Sequence, residues 1–184
     1  SAKQIVKDIT SSLCQLEIPE NKFEIRIDRT AELTAQGADK VTFLFSANKN
    51  MMPRPIAEVA SGGEIARVML ALKALMGTRT SMPSIIFDEI DTGVSGRVSD
   101  AMARMMKQMS SRQGQQVIAI THLPQIAAQG EHHLYVYKEN TDEQTLSHIR
   151  TLTEKERITE VAHMLSGSDI TQAAIENAKQ LLGK

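Results

Sequence analysis

The sequence has no tryptophan, one cysteine and only 3% aromatic residues among its 184 positions. A lone thiol, Cys14, excludes a disulfide framework and any zinc site built from cysteines, and suits a reducing cytoplasm. No apolar run approaches the roughly 20 residues needed to cross a bilayer, so no membrane partner is expected. An excess of one charge is missing too, since 21 Lys+Arg stand against 22 Asp+Glu for a formal net charge of −1. Bulk electrostatics therefore demands neither a nucleic-acid nor a membrane partner, although a local patch can exist. There is no initiator methionine and no signal-peptide pattern, and the chain reads as an excised fragment.

What is present is methionine, 10 residues of it, which implies an aliphatic and polarizable core. The length suits one domain, with room for an appendage. Residues 1 to about 17 carry Ile5, Ile9, Leu13 and Leu16 at three- and four-residue steps and predict a helix. So short a helix is marginal alone, so it is packed on the body or ends something longer. "KFEIRID" and "KVTFLF" alternate as strands do, around a loop at Gly37, and "NKNMMPRPIAEVA" reads as a loop with Pro53 and Pro55.

From Gly63 to about Met76 a helix is expected, with Ile65, Val68, Met69, Leu72, Leu75 and Met76 on its apolar face and Gly77 as its stop. Strand "SIIF" follows Pro83, then a helix with Val98, Met102, Met105 and Met109 on one side. "QVIAIT" is an apolar run of the kind buried in a parallel sheet. A short helix after Pro124 and strands "HHLYVYKE" and "TLSHIRTL" come next, with His132 and His133 at the start of a strand and read as structural. Thr153-x-x-Glu156 has the form of a capping box before one helix, and another runs from about Thr171 to Leu182. Helix and buried strand alternate across 63–121, which argues for an α/β core with parallel strands.

Three stretches can carry chemistry. In "SIIFDEIDTGVSG" the apolar strand ends in Asp88 and Glu89. Ligands of open α/β sheets sit beyond the carboxyl ends of strands, so Asp88 is placed to hold Mg²⁺ and Glu89 to orient or deprotonate a water. Taken alone, the same acids equally suit a solvated strand end. In "ASGGEIARVMLAL" Ser61, Gly62 and Gly63 precede an amphipathic helix, whose free N–H groups and dipole favour an anion. A plain N-cap is the commoner use of such a serine. In "AITHLPQIA" His122 follows the second buried strand, on the expected ligand edge; alone it would pass for an exposed loop histidine. A phosphate cradle of the form G-x-x-x-x-G-K-[ST] is absent, since the only Gly-Lys pair is Gly183-Lys184 with Ala178 where the first glycine belongs.

In this order and spacing the elements resemble the C-terminal lobe of an ABC-type ATPase head. "SGGE" is similar to the signature, "SIIFDE" to the Walker B strand, "DTGVSG" to the D-loop and "THLPQIA" to the switch-histidine loop. "FLFSAN", "VASGGEIARVMLALK", "IIFDEIDTGVSGRV" and "ITHLPQIAA" resemble the RecN family of DNA-repair proteins, bacterial relatives of the SMC ATPases, from about Phe23 to the last helix. The resemblance implies an α/β fold: the C-terminal half of such a head, a mostly parallel sheet flanked by helices, with an N-terminal β-hairpin and a coiled-coil remnant helix. Residues 1–20 would be the end of the coiled-coil helix and 21–184 the lobe itself.

The resemblance also implies a division of labour. Asp88 would serve Mg²⁺, Glu89 would polarise the attacking water and His122 would sense the γ-phosphate of ATP. Ser61, Gly62, Gly63 and Glu64 would act in trans on ATP held by a second head, and residues 91–96, with Asp91, Gly93 and Ser95, would lie at the head–head interface. The Walker A lobe would be encoded upstream of a long coiled coil, so the fragment alone should not turn over ATP. Double-strand-break repair and recombination, DNA binding, an ATP-dependent homodimer and a nucleoid-associated place in the bacterial cytoplasm follow from the resemblance only. Ser95 stands where the wider D-loop often has Asp, and Ala60 and Glu64 stand where transporters have Leu and Gln; the latter two agree better with RecN. The alternatives are a non-catalytic interaction or scaffold domain, or the head lobe of another SMC-type ATPase.

Overall fold

Ile9 and Leu13, one helical turn apart, are fully buried and fix the first helix, α1 (Ala2–Gln15), against its surroundings. The structure, a computed structural model, describes residues 2–35, 37–58, 61–80, 82–141 and 144–184. Val59 and Ala60, in the expected loop and the signature comparison, lie outside the described residues. The chain forms two compact units, 1–118 and 119–184.

In the first unit the expected alternation produces β1 (Lys22–Thr34) and β2 (Gly37–Ser46), paired antiparallel from Lys22↔Ser46 to Arg29↔Asp39. The strands run further than the sequence suggested, and Gly37, expected in the loop, opens β2. The segment read as loop contains a two-residue strand, β3 (Arg54–Pro55), added to β2, and a single 3₁₀ turn over Ile56–Glu58. The prolines permit this because the strand is only an edge.

Helix α2 spans Gly62–Arg79 and passes through Gly77 instead of stopping there. The Thr80 N–H still reaches Met76 O at 2.9 Å, and Arg79 pairs with Asp8 of α1 at 3.2 Å. One interior glycine costs only about 1 kcal/mol, which packing outweighs. Its buried face differs from the expected one as well: Gly63, Val68, Leu70 and Ala71 are buried, whereas Met69 and Met76 are 40% and 50% exposed. α2 packs against both α1 and α3, and the side that meets them, not its methionine stripe, is turned inward.

β4 (Ser84–Asp88) buries Ile85 and Phe87 and leaves Ser84, Ile86 and Asp88 outward. α3 (Arg97–Gln113) follows, with Met102, Met105, Met106 and Met109 all buried, as the methionine stripe implied. β5 (Gln116–Ile120) lies parallel to β4 in a two-stranded sheet. Gln116 N–H donates to Pro83 O at 2.8 Å and the two strands start together. The parallel part of the α/β fold is therefore small, and β5 is not enclosed: Ile118 is 36% exposed.

In the second unit α4 (Pro124–Gln129), α5 (Glu154–Ser166) and α6 (Gln172–Leu181) pack through Ala128, Val161, Ala162, Ala174 and Ala178. Alanines at the contacts allow a close approach. β6 (Leu134–Asn140) and β7 (Thr145–Thr151) form an antiparallel hairpin with Val136↔Ile149 in register. His132 and His133 precede β6 rather than beginning it. Thr153 caps α5, with Glu156 returning the bond to the Thr153 N–H, so the capping box is complete.

Candidate active site

β4 delivers Asp88 to the end of its last turn of pleat with the side chain outward, because Phe87 before it is turned into the core at 1% exposure. The chain then bends sharply. Glu89 has φ +47°, a left-handed conformation that a non-glycine residue adopts only when its surroundings hold it there. Two hydrogen bonds do so: the Thr92 N–H and Thr92 Oγ1 both donate to Glu89 O, at 3.2 and 2.9 Å. Asp91 is fully buried, and its carbonyl accepts Val94 N–H at 3.1 Å. The outward part of the following turn is made instead by Thr92, Gly93 and Ser95, all exposed.

Asp88 and Glu89 line a cleft of about 340 Å³ together with Gly62, Lys73, Phe87 and Thr92. The structure thus brings the strand-end acids and the start of α2 into one cavity. Ser61 occupies the N-cap position of α2 but makes no side-chain capping bond, so its hydroxyl is not spent on its own helix. Its carbonyl accepts Glu64 N–H and Ile65 N–H, both at 3.1 Å. A Cβ added at Gly62 would meet nothing within 4 Å, and this end of α2 stands open to an approaching anion. Glu64 lies in the first turn, where the helix dipole favours its charge, and faces Arg67.

Lys73 is the residue that sequence reasoning missed. Its Nζ donates to Ile86 O at 3.3 Å and stands 4.9 Å from the centre of the Phe87 ring, so the amine of α2 is pinned to the strand that carries Asp88. The signal was a single lysine inside the apolar run "VMLALKALM". Arg67 is a second such residue. It donates to Gly63 O at 3.0 Å and to Leu16 O at 3.3 Å, and partial burial lowers its pKa, with Glu64 opposing.

His122 belongs to the second unit, exposed in the loop between β5 and α4. That loop is steadied by Leu123 N–H donating to Thr121 Oγ1 at 3.0 Å. The other end of α4 is held by two side chains. His133 Nε2 lies 2.7 Å from Ala127 O, and Arg157 donates to Gly130 O at 2.6 Å. Burial first, then Arg157, lowers the His133 pKa; the neutral ring presents its Nε2–H to the carbonyl.

Asp88 offers a hard oxygen donor at an exposed strand end, which suits Mg²⁺, an ion that takes one or two carboxylates and completes its shell with water and phosphate oxygens. Among the described residues no three His, Cys, Asp or Glu side chains converge into a ready-made cage. Among those residues, too, no helix is long and apolar enough to cross a membrane.

No family model matches the chain. Individual relatives do. The DNA repair protein RecN of Halalkalibacterium halodurans is 40% identical over 188 residues, covering 98% of this chain and 33% of that protein. RecN of Deinococcus radiodurans is 40% identical over 181 residues, covering 98% and 31%, and RecN of Bacillus subtilis 44% over 151 residues, covering 82% and 26%. The chain is a RecN-like head lobe. It spans about a third of the length of the curated relatives it matches.

Solved structures agree on the fold of this RecN-like lobe. The Smc head domain with coiled coil and joint from Pyrococcus yayanosii superposes with a TM-score of 0.67 at 16% identity, covering 89% of this chain and 29% of that one. A chain described in work on ATP-driven dimerization and DNA-stimulated activation of SMC ATPases gives 0.61 at 16%, covering 91% and 94%.

Proposed function

We propose that the lobe forms part of an ATP-hydrolysing head that acts in DNA double-strand-break repair and recombination. The observation that carries this reading is the cleft in which Asp88, Glu89 and Gly62 meet, within a chain so similar to RecN proteins. Asp88 holds Mg²⁺, which when bound neutralises charge on the transferring phosphoryl group. Glu89 orients or deprotonates the attacking water, and His122 senses the γ-phosphate. Ser61, Gly62, Gly63 and Glu64 act in trans as the start of α2: the Ser61 hydroxyl and the open Gly62 backbone meet ATP bound to a second head, and the buried Gly63 and the first-turn Glu64 support them. The outward turn around Gly93 and Ser95, with Asp91 buried beneath it, lies at that head–head interface.

The phosphate cradle comes from an N-terminal Walker A lobe of the same full-length protein. The exposed apolar residues Met69, Met76 and Ile86 support this, since a surface of that kind calls for a covering partner. Without that lobe the fragment is inactive. α1 continues a coiled coil, residues 1–20 in all, and residues 21–184 make the lobe. The whole protein works on DNA in the bacterial cytoplasm, at the nucleoid.

The test is hydrolysis by the lobe co-expressed with a Walker A lobe. Glu89→Gln should slow it about a hundredfold or more, the usual yield of a positioned base; a rate equal to wild type removes Glu89 from the chemistry. ATP should gather the Gln variant into dimers, and Ser61→Arg should abolish them in sedimentation. Dimers that survive Ser61→Arg exclude the trans role.

A further inference from the structure

The two signature glycines occupy different surroundings. Gly62 faces open space, whereas Gly63 is buried, and a Cβ there would lie 2.8 Å from Gly93 O and 3.8 Å from Val94 Cγ2. Contacts under 3.0 Å are not tolerated by real side chains, so the N-terminal turn of α2 rests directly on the backbone of the turn after β4. The opposing residue is glycine for another reason: Gly93 has φ +75°. From Gly93 the link continues without a break. The same turn is closed by Val94 N–H on Asp91 O, and it reaches back through the Thr92 N–H and hydroxyl to Glu89 O. Glu89 is the residue whose left-handed backbone most needs holding.

We infer that Gly63 is a positioning residue for Glu89: its bare backbone seats the 91–94 turn, and that turn, through Thr92, sets the conformation of the strand-end acid. Gly62, with its open face, is left to approach the phosphate. The inference rests on the proposed role of Glu89 and deepens it, because it ties the trans-acting signature to the water-activating group within one lobe. A displacement of the α2 N-terminus on engaging a second head passes to Glu89 by contact between backbones that cannot interpenetrate.

The experiment uses the full-length protein and measures steady-state ATP hydrolysis together with ATP-dependent dimerisation. Gly63→Ala should lower kcat roughly tenfold or more with KM held within about twofold, since the loss lies in the chemical step and not in nucleotide binding. Added to Glu89→Gln, it should change the residual rate by less than about twofold, as expected of residues acting as one unit, and dimers should persist. Thr92→Val should reproduce the kcat loss, and Thr92→Ser, which keeps the hydroxyl, should restore it. An undiminished kcat, a full additional loss in the Gln background, or loss of dimers would each overturn the inference and return Gly63 to a plain nucleotide contact. Should Gly63→Ala fail to give a cooperative thermal transition, the Thr92 pair decides, and equal rates for Val and Ser overturn it. A wild-type rate for Glu89→Gln alone instead defeats the proposed function, and that result is read separately.

Discussion

Glu17 and Glu89 share a side chain and a backbone conformation that L residues avoid, with φ of 63° and 47°, yet they stand in opposite kinds of place. Glu17 lies just past α1. Ile18 N–H bonds Leu13 O at 3.0 Å and Glu17 N–H bonds Cys14 O at 3.2 Å, the paired bonds of a Schellman ending, while the buried Ile18 and Leu13 supply its usual apolar contact. Arg67 adds bonds to Leu16 O and Glu17 O. Every reason for the positive φ is found in helix termination. Glu89 ends no helix. Its conformation aims an acidic side chain into a cleft beside Asp88 and is held by one threonine and one turn.

The difference teaches how to separate structural strain from functional strain. At the α1 end a glycine would serve as well, or better: the Glu17 carboxylate makes only a long, solvent-exposed pair with Arg97 at 3.8 Å, and the backbone conformation decides there. At the β4 end a glycine would relax the backbone and discard what the bend exists to present. Glu89→Gly is therefore expected to lower ATP hydrolysis of the complete head by about 10²–10⁴-fold, the range for losing a general base, whereas Glu17→Gly should stay within about twofold. In denaturant unfolding both variants should gain roughly 0.5–1 kcal/mol from relieved φ strain. Equal hydrolysis by the two would break the comparison, since Glu89 would then be another chain reversal.

Part of this contrast was legible in the sequence. The methionine stripe of α3 and the Thr153–Glu156 capping box are short-range patterns, and both form as written. The acids after "IIF" could be placed at a strand end for the same reason. The contact of Gly63 with Gly93 could not, because two glycines far apart in sequence carry no periodicity and only the fold brings them together. The inward face of α2 is set by where α1 and α3 pack, which no local pattern encodes, so Leu70 and Ala71 are buried while Met69 is exposed. Ile86 and Ile118 look buried by composition but are not, in a chain that spans a third of its relatives.

A second way to sharpen the comparison is to attack what each end is made of. The α1 ending is built on burial, with Leu13 at 0% exposure, so Leu13→Ala should cost about 2–5 kcal/mol of stability. Asp88→Asn changes an exposed side chain and should move stability by no more than about 0.5 kcal/mol while affecting hydrolysis. Chemical denaturation of the two variants, run beside the hydrolysis assay, checks both. A large loss of stability from Asp88→Asn would mean that the β4 end is structural after all.

The smallest effect concerns a third terminus, the start of α5, which like the α1 end is settled by its own bonding. Glu156 accepts from Thr153 N–H at 2.8 Å, from the Thr153 hydroxyl and from Arg150, and these bonds hold its pKa down at about 2. A carboxylate whose folded pKa is depressed adds stability that is present above its ordinary value near 4.5 and is lost as pH falls toward about 2. The Glu156 side chain is 40% exposed and its charge is screened by solvent, so the effect is modest. Thr153→Ala removes one of the three donors and should lower the melting temperature by roughly 2–4 °C at neutral pH. The gap between wild type and variant should narrow as pH falls from about 4.5 to about 2. A gap that stays constant over that range would show that the box contributes through the threonine alone, and that this terminus is held by less than its geometry suggests.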